Sequence, residues 1–117
     1  MVAVADITAA KADCIAKINE MISAARELQK TATDADRLKL EDAIADLKKL
    51  RDEIRVQEYV AALNSTAMQN ALVTIESAAT KMNTAAQNMK TVAQIIANLA
   101  AFLGAAAQVL PALTGHA

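Results

Sequence analysis

Apolar positions along this chain fall into three runs at helical spacing. In the first, Ile7, Ala10, Cys14, Ile18, Met21, Ala25 and Leu28 recur at steps of three and four, and Ile15 and Ile22 widen the stripe. Asp13, Lys17, Glu20 and Glu27 lie on the opposite side, so the segment predicts an amphipathic helix with one buried face. Asp6 suits its N-cap, because a carboxylate accepts an orphan amide of the first turn. Thr33 followed by Asp36 resembles a capping box and marks the next helix start, and Asp34 and Asp36 favour the positive end of that helix. The second run, Leu40, Ile44, Leu47, Leu50 and Ile54, continues with some drift through Val56, Val60 and Leu63. Its outer face carries candidate pairs at i,i+4, namely Arg37–Glu41, Lys48–Asp52 and Lys49–Glu53, and reads as a solvated helix surface. Asn64-Ser65-Thr66 is the next punctuation and is read as a turn. Although it matches a glycosylation acceptor pattern, no leader accompanies it. Helices are therefore expected at about residues 6–30, 34–63 and 66–110.

The third run keeps one heptad register throughout. With Leu72 at a, the d positions are Met68, Ile75, Met82, Met89, Ile96, Leu103 and Leu110. From Ala79 onward every a position is alanine: Ala79, Ala86, Ala93, Ala100 and Ala107. Small residues at a with large ones at d permit close helix approach, and a sustained 3.5-residue period implies coiled-coil-like packing. The fold expected is all-α, an elongated antiparallel three-helix bundle with a long C-terminal helix, forming a single domain over residues 1–117.

The outer face of that third segment changes midway. Up to Lys90 it is mostly polar, whereas from Val92 the c positions are Ile95, Phe102 and Val109 and the e positions are Ala97, Gly104 and Pro111. Residues 91–113 thus form an apolar section in which Gln94, Asn98 and Gln108 are the main polar interruptions. A straight helix over 66–110 would be roughly 67 Å long, about 20 Å beyond its partners. Leaving its end in water would forfeit about 1.5–3 kcal/mol per large side chain. Either the helix folds back near Gly104, or other chains cover it, or a membrane does. The candidate association or membrane-contact residues are Val92, Ile95, Ile96, Leu99, Phe102, Leu103, Val109 and Leu110. Pro111 should end the helical pattern.

Composition narrows the classes further. Of 117 residues 29 are alanine, while Gly totals 2 and Pro 1, too few turn formers for a β-sandwich or barrel. Twelve basic and 13 acidic side chains nearly cancel, and no basic patch interleaved with aromatics is present, so no nucleic-acid partner is expected. Cys14 is the sole cysteine, which excludes an internal disulfide and suits a small buried hydrophobe. The N-terminal residues lack the pattern of a signal peptide, and a soluble cytoplasmic form is expected.

Chemistry has few candidates. His116 is the sole histidine, which leaves neither a zinc set nor an oriented nucleophile–histidine pair. Gly-rich phosphate loops and Glu-x-x-His motifs are absent, so no cofactor, metal, small-molecule substrate or enzymatic activity is expected. Met68, Met82 and Met89 fit core filling better than a promiscuous groove, and Phe102 is either the best anchor for a contact between chains or an ordinary core residue of one chain. The function expected is a helical interaction or assembly protein that forms a homo-oligomer or binds a helical partner through the apolar section. The rival is a membrane-active protein, pore-forming or lipid-coating, that inserts residues 91–113 into a bilayer.

Overall fold

In a computed structural model of the chain, residues 3–58, 65–87 and 91–114 are described, without the side chains of Ser65, Val92 and Ile95. They form α1 (Val4–Gln29), α2 (Asp34–Val56), α3 (Ser65–Ala86), α4 (Val92–Ala107) and the short α5 (Val109–Thr114). Around the bundle the neighbours run α1, α2, α4, α3, with α5 against α3 and α2. The all-α elongated bundle is as expected, but its third segment is divided and folded back. The longest dimension is 51 Å, shorter than the roughly 67 Å an unbroken third helix would span.

The first two helices follow their stripes. Ile7, Cys14, Ile18, Met21, Ile22 and Ala25 of α1 are buried, as are Leu40, Ala43, Ile44, Leu47 and Ile54 of α2. Their hairpin is stitched at three levels. At the turn, Arg37 Nε donates to the Gln29 carbonyl at 3.3 Å, its Nη2 donates to the Ala32 carbonyl at 3.4 Å, and Gln29 Nε2 returns a bond to the Arg37 carbonyl at 3.3 Å. In the middle Arg51 Nη1 donates to Asn19 Oδ1 at 3.1 Å. At the far end Lys11 Nζ donates to the Arg55 carbonyl at 3.0 Å and the Gln57 carbonyl at 2.9 Å. A lysine there both satisfies orphan carbonyls and suits the negative end of the helix. With those carbonyls taken and Gln57 extended, α2 stops at Val56 rather than near residue 63, and Val56 is 78% exposed. Val60 and Leu63, expected to prolong the stripe, lie outside the described residues, as does Asn64 of the expected turn.

Local chemistry departs from expectation in two further places. Helix α1 begins at Val4, so Asp6 is not the N-cap; it sits inside the first turn and its Oδ2 accepts from the Ala3 amide at 2.8 Å. Thr33 is the N-cap of α2, its hydroxyl accepting from the Asp36 amide at 3.3 Å. The surface ion pairs also re-sort. Arg37, drawn back toward the turn, meets Asp34 at 3.6 Å, and Asp52 meets Arg51 at 3.1 Å and Arg55 at 3.7 Å, in place of the expected i,i+4 partners. Such exposed pairs contribute at most about 1 kcal/mol, too little for a spacing rule to dictate them.

Helix α3 closes with a tight turn, the Gln87 amide donating to the Thr84 carbonyl at 3.4 Å. Helix α4 then opens on a reciprocal capping box. The Gln94 amide donates to Thr91 Oγ1 and the Thr91 amide to Gln94 Oε1, both at 3.2 Å. That box satisfies two orphan donors and sets a helix start in the middle of the uniform heptad. The interruption at Gln108 answers to Pro111. In an unbroken helix the proline would lack a donor for the Ala107 carbonyl and its ring would clash there. As the third residue of α5 it occupies a first-turn position, where the missing N–H has no intrahelical partner to lose. Helical structure thus reaches Thr114 rather than ending near residue 110.

The fold-back is secured by a stripe of large side chains. Leu99, Phe102, Ala106, Val109 and Leu113, spaced by three and four, are buried against the rest of the bundle, Phe102 at 1% exposure. Substituting Phe102→Ala is expected to cost about 3–5 kcal/mol, the range for emptying a buried aromatic site. Urea unfolding followed by circular dichroism checks it, with exposed Ala93→Ser as the control, expected to change stability by less than about 0.5 kcal/mol.

Candidate functional site

The face of α4 that the bundle does not use is the candidate site. Leu99, Phe102, Ala105 and Ala106 point inward, and Ala112 and Leu113 of α5 extend that buried surface. On the outer side Ala93, Ala97, Ala100, Ala101, Gly104 and Ala107 are exposed, with Ile96, Leu103 and Leu110 half-buried along the edge. The heptad expected to form the core is therefore not the one buried in α4. Its a positions face water, its d positions sit at the margin, and the c and g positions fill the interior. This amounts to rotation of the helix by one residue, about 100°.

The predicted contact residues accordingly divide. Leu99, Phe102 and Val109 belong to the chain's own core. Phe102 is an interior side chain in the folded chain and not a surface anchor. Ile96, Leu103 and Leu110 pack partly against that core and keep an accessible edge. Val92 and Ile95 have no described side-chain placement. Lower on the same side, α3 and α4 leave an open groove of about 670 Å³, flanked by Thr80, Lys81 and Thr84 from α3 and by Asn98, Ala101, Gly104 and Gln108. At Gly104 a β-carbon would meet nothing within 4 Å, so the fold itself does not require glycine there.

Polar chemistry elsewhere is sparse. A second groove of about 540 Å³ between α1 and α3 is bordered by Asp6, Asp13, Lys17, Glu76 and Asn83. Lys17 there pairs with Asp13 at 3.2 Å. Among the described residues no group of three or more His, Cys, Asp or Glu is arranged to hold a metal ion. His116 lies outside the described residues, as do Tyr59, Met89 and Lys90. Met82 is buried in the core, at the floor of a small cleft it shares with Met21 and Phe102, and Met68 packs partly against the core, in keeping with core filling.

Cys14 is buried between α1 and α3, with its Sγ 3.7 Å from the Ile75 carbonyl, to which the thiol donates. Burial, with a smaller push from Asp13, raises its pKa to about 11. A thiol held protonated in this way is a packing group, not a nucleophile.

Comparison of the chain with protein-family models, with curated proteins and with solved structures found no match.

Two outcomes follow for Cys14. At pH 8 the native thiol should resist a thiol-specific reagent and react fully once the chain is unfolded. Because the native pKa is about 11 against an ordinary 9.0, the folded state holds the proton more tightly. Its contribution to stability is intact below pH 9 and is lost as pH rises through 11. Urea titrations at a series of pH values should show that decline, and Cys14→Ala should flatten it.

Proposed function

We propose that the chain is a non-enzymatic helical assembly protein, and that a second copy of the chain covers the outer face of α4. The observation that carries this reading is the character of that face. From Thr91 onward the sequence has no Asp, Glu, Lys or Arg, and the exposed positions of α4 are mostly alanine and glycine. An uncharged face meets its own copy without charge repulsion, and two-fold symmetry places the same patch on both sides. Small side chains let two helices approach near the short end of the usual range of about 8–10 Å, and the half-buried Ile96, Leu103 and Leu110 then lose their remaining water contact. The charged faces of α1 and α2 stay outward and keep the assembly soluble.

A second reading rests on one specific feature. Residues Ile96–Thr114 form a stretch of 19 with mean hydropathy 1.7, of which 39% is buried in the bundle. At about 28 Å if fully helical, it approaches the roughly 30 Å of a hydrocarbon core. Against insertion stand Asn98, Gln108 and the many alanines, which contribute little to transfer into lipid, and the helix interruption at Gln108.

Ala100→Glu together with Gly104→Glu tests the first reading without emptying the core, since both positions are exposed. The native chain should scatter as a multiple of 12.3 kDa, and the double variant as a monomer with unchanged helix content. A native chain that is monomeric in solution and floats with liposomes of anionic and zwitterionic lipid would instead favour insertion. Truncation after Lys90 is a poor substitute, because it removes Phe102, Val109 and Leu113 from the core.

A further inference from the structure

The edge of the bundle beside α4 carries a charge pattern that the single chain leaves unused. Arg37 and Arg51 bond to Gln29 and Asn19, so they mark the flank of α2 that meets α1. The opposite flank adjoins α4 and carries Lys39, Asp42, Asp46, Lys49 and Glu53, spaced by three and four and all exposed. None of the five forms an ion pair with any described residue. Set against its own reverse, the flank puts Lys39 opposite Glu53 and Asp42 opposite Lys49, with Asp46 at the centre.

The outer seam of α4 reverses in the same way. Alanine at a alternates strictly with Ile96, Leu103 and Leu110 at d. In a parallel pair a two-fold axis along the helices sets each residue level with its own copy, so thin layers of alanine alternate with thick layers of isoleucine or leucine. An antiparallel pair centred between Ala101 and Phe102 instead sets Ala93 against the partner's Leu110, Ile96 against the partner's Ala107 and Ala100 against the partner's Leu103. Each layer then holds one small and one large side chain. The centres of the two patterns coincide in the bundle. Phe102 shares a cleft with Met21 and Ala24 of α1. The bonds from Arg51 to Asn19 and from Arg37 to Gln29 lie on either side of those two residues, which places Phe102 level with the middle of α2, near Asp46.

We infer that the second copy docks antiparallel, α4 against α4, with the α2 flanks of the two chains facing each other and paired Lys39 to Glu53 and Asp42 to Lys49 in both directions. The inference rests on the self-association proposed above and names its orientation and register. Ile96, Leu103 and Leu110 lie on the side of α4 away from the groove with α3, and so toward α2. Like edges meet about the two-fold axis of an antiparallel pair, so these half-buried side chains are enclosed together between the two α2 helices. Gly104, which the single chain does not require, lies beside the same seam and lets the helices approach closely. The ion pairs form at the solvent-exposed rim, so the charged faces of α1 and α2 still look outward. Such pairs add little affinity and act on selection: in a parallel dimer each charge would face its own copy.

Exchanging the signs of one pair tests this. Asp42→Lys sets lysine opposite the partner's Lys49, and Lys49→Glu sets glutamate opposite the partner's Asp42. Each single variant should raise the dimer dissociation constant about tenfold at low salt, as read by sedimentation, with helix content unchanged. The double variant restores both pairs with signs reversed and should return to within about threefold of the native constant. Positions 42 and 49 lie too far apart on one helix to touch, so the rescue can arise only between chains. Orientation is read by a short bis-maleimide added to a mixture of Lys39→Cys and Glu53→Cys chains. It should join one kind to the other and neither kind to itself, since like positions are about 20 Å apart along the helix direction. Buried Cys14 should not compete for the reagent.

Single variants as tight as the native chain, a double variant no tighter than the singles, or cross-links within one kind of chain or none in the mixture overturns this orientation. Any of these leaves covering of α4 by a second copy standing if Ala100→Glu with Gly104→Glu still dissociates the dimer. A native chain that stays at 12.3 kDa at every concentration overturns both.

Discussion

The contact on which this bundle depends is the return of α4 onto α3. Helices α1 and α2 form a hairpin whose stripes face one way, and two helices alone cannot enclose Ile18, Leu40, Leu47 and Ile54. Helix α3 supplies Ile75 and Met82 as a third wall, and α4 with α5 supplies Phe102, Val109 and Leu113 as the fourth. Without that last wall α3 would be covered on one side only. The reversal therefore solves two problems together: it hides the large side chains of the apolar section and closes the core of the others. One boundary condition makes it affordable, namely that the freed amides at the start of α4 find partners in Thr91 and Gln94.

How much of this could be read in the chain depends on side-chain size. In α1 and α2 most large apolar residues lie on one side and charges on the other, so periodicity and burial agree along most of each stripe, with Val56 at the end of α2 the exposed exception. In the third segment alanine occupies so many positions that it weights no face. Two stripes then overlap: Ile96, Leu103 and Leu110 in one register, and Leu99, Phe102, Val109 and Leu113 in another. Regular spacing favours the first. Burial favours the second, which carries the phenylalanine and so more apolar area. The reversal did have a local signature, Thr91 followed by Gln94 ahead of an apolar run, and it is the same capping logic that marked Thr33. A heptad running through those residues masks it, because periodicity reports which faces are apolar and not where the backbone turns.

The candidate site was legible in part for the same reason. That the section after Thr91 would need cover follows from its lack of charge alone. Which residues would remain outside does not, since it depends on a rotation of about 100° that only the packed bundle defines. Part of the need is met within the chain, where Leu99, Phe102, Val109 and Leu113 are buried. What is left outside among the described residues is mostly alanine and glycine, and so less adhesive per residue than a fully exposed rod would be.

Alanine-rich helices carry a consequence for uniqueness. A core specified by large, branched side chains penalises a wrong rotation strongly, because each misplaced group opens a cavity or meets water. Where every second core position is alanine, the penalty per position is small, and alternative pairings of the same helix lie closer in energy. In this chain the choice between them falls to a few specific groups. Phe102 fixes the rotation of α4, Pro111 fixes where its regular helix must be interrupted, and the Thr91–Gln94 box fixes where it begins.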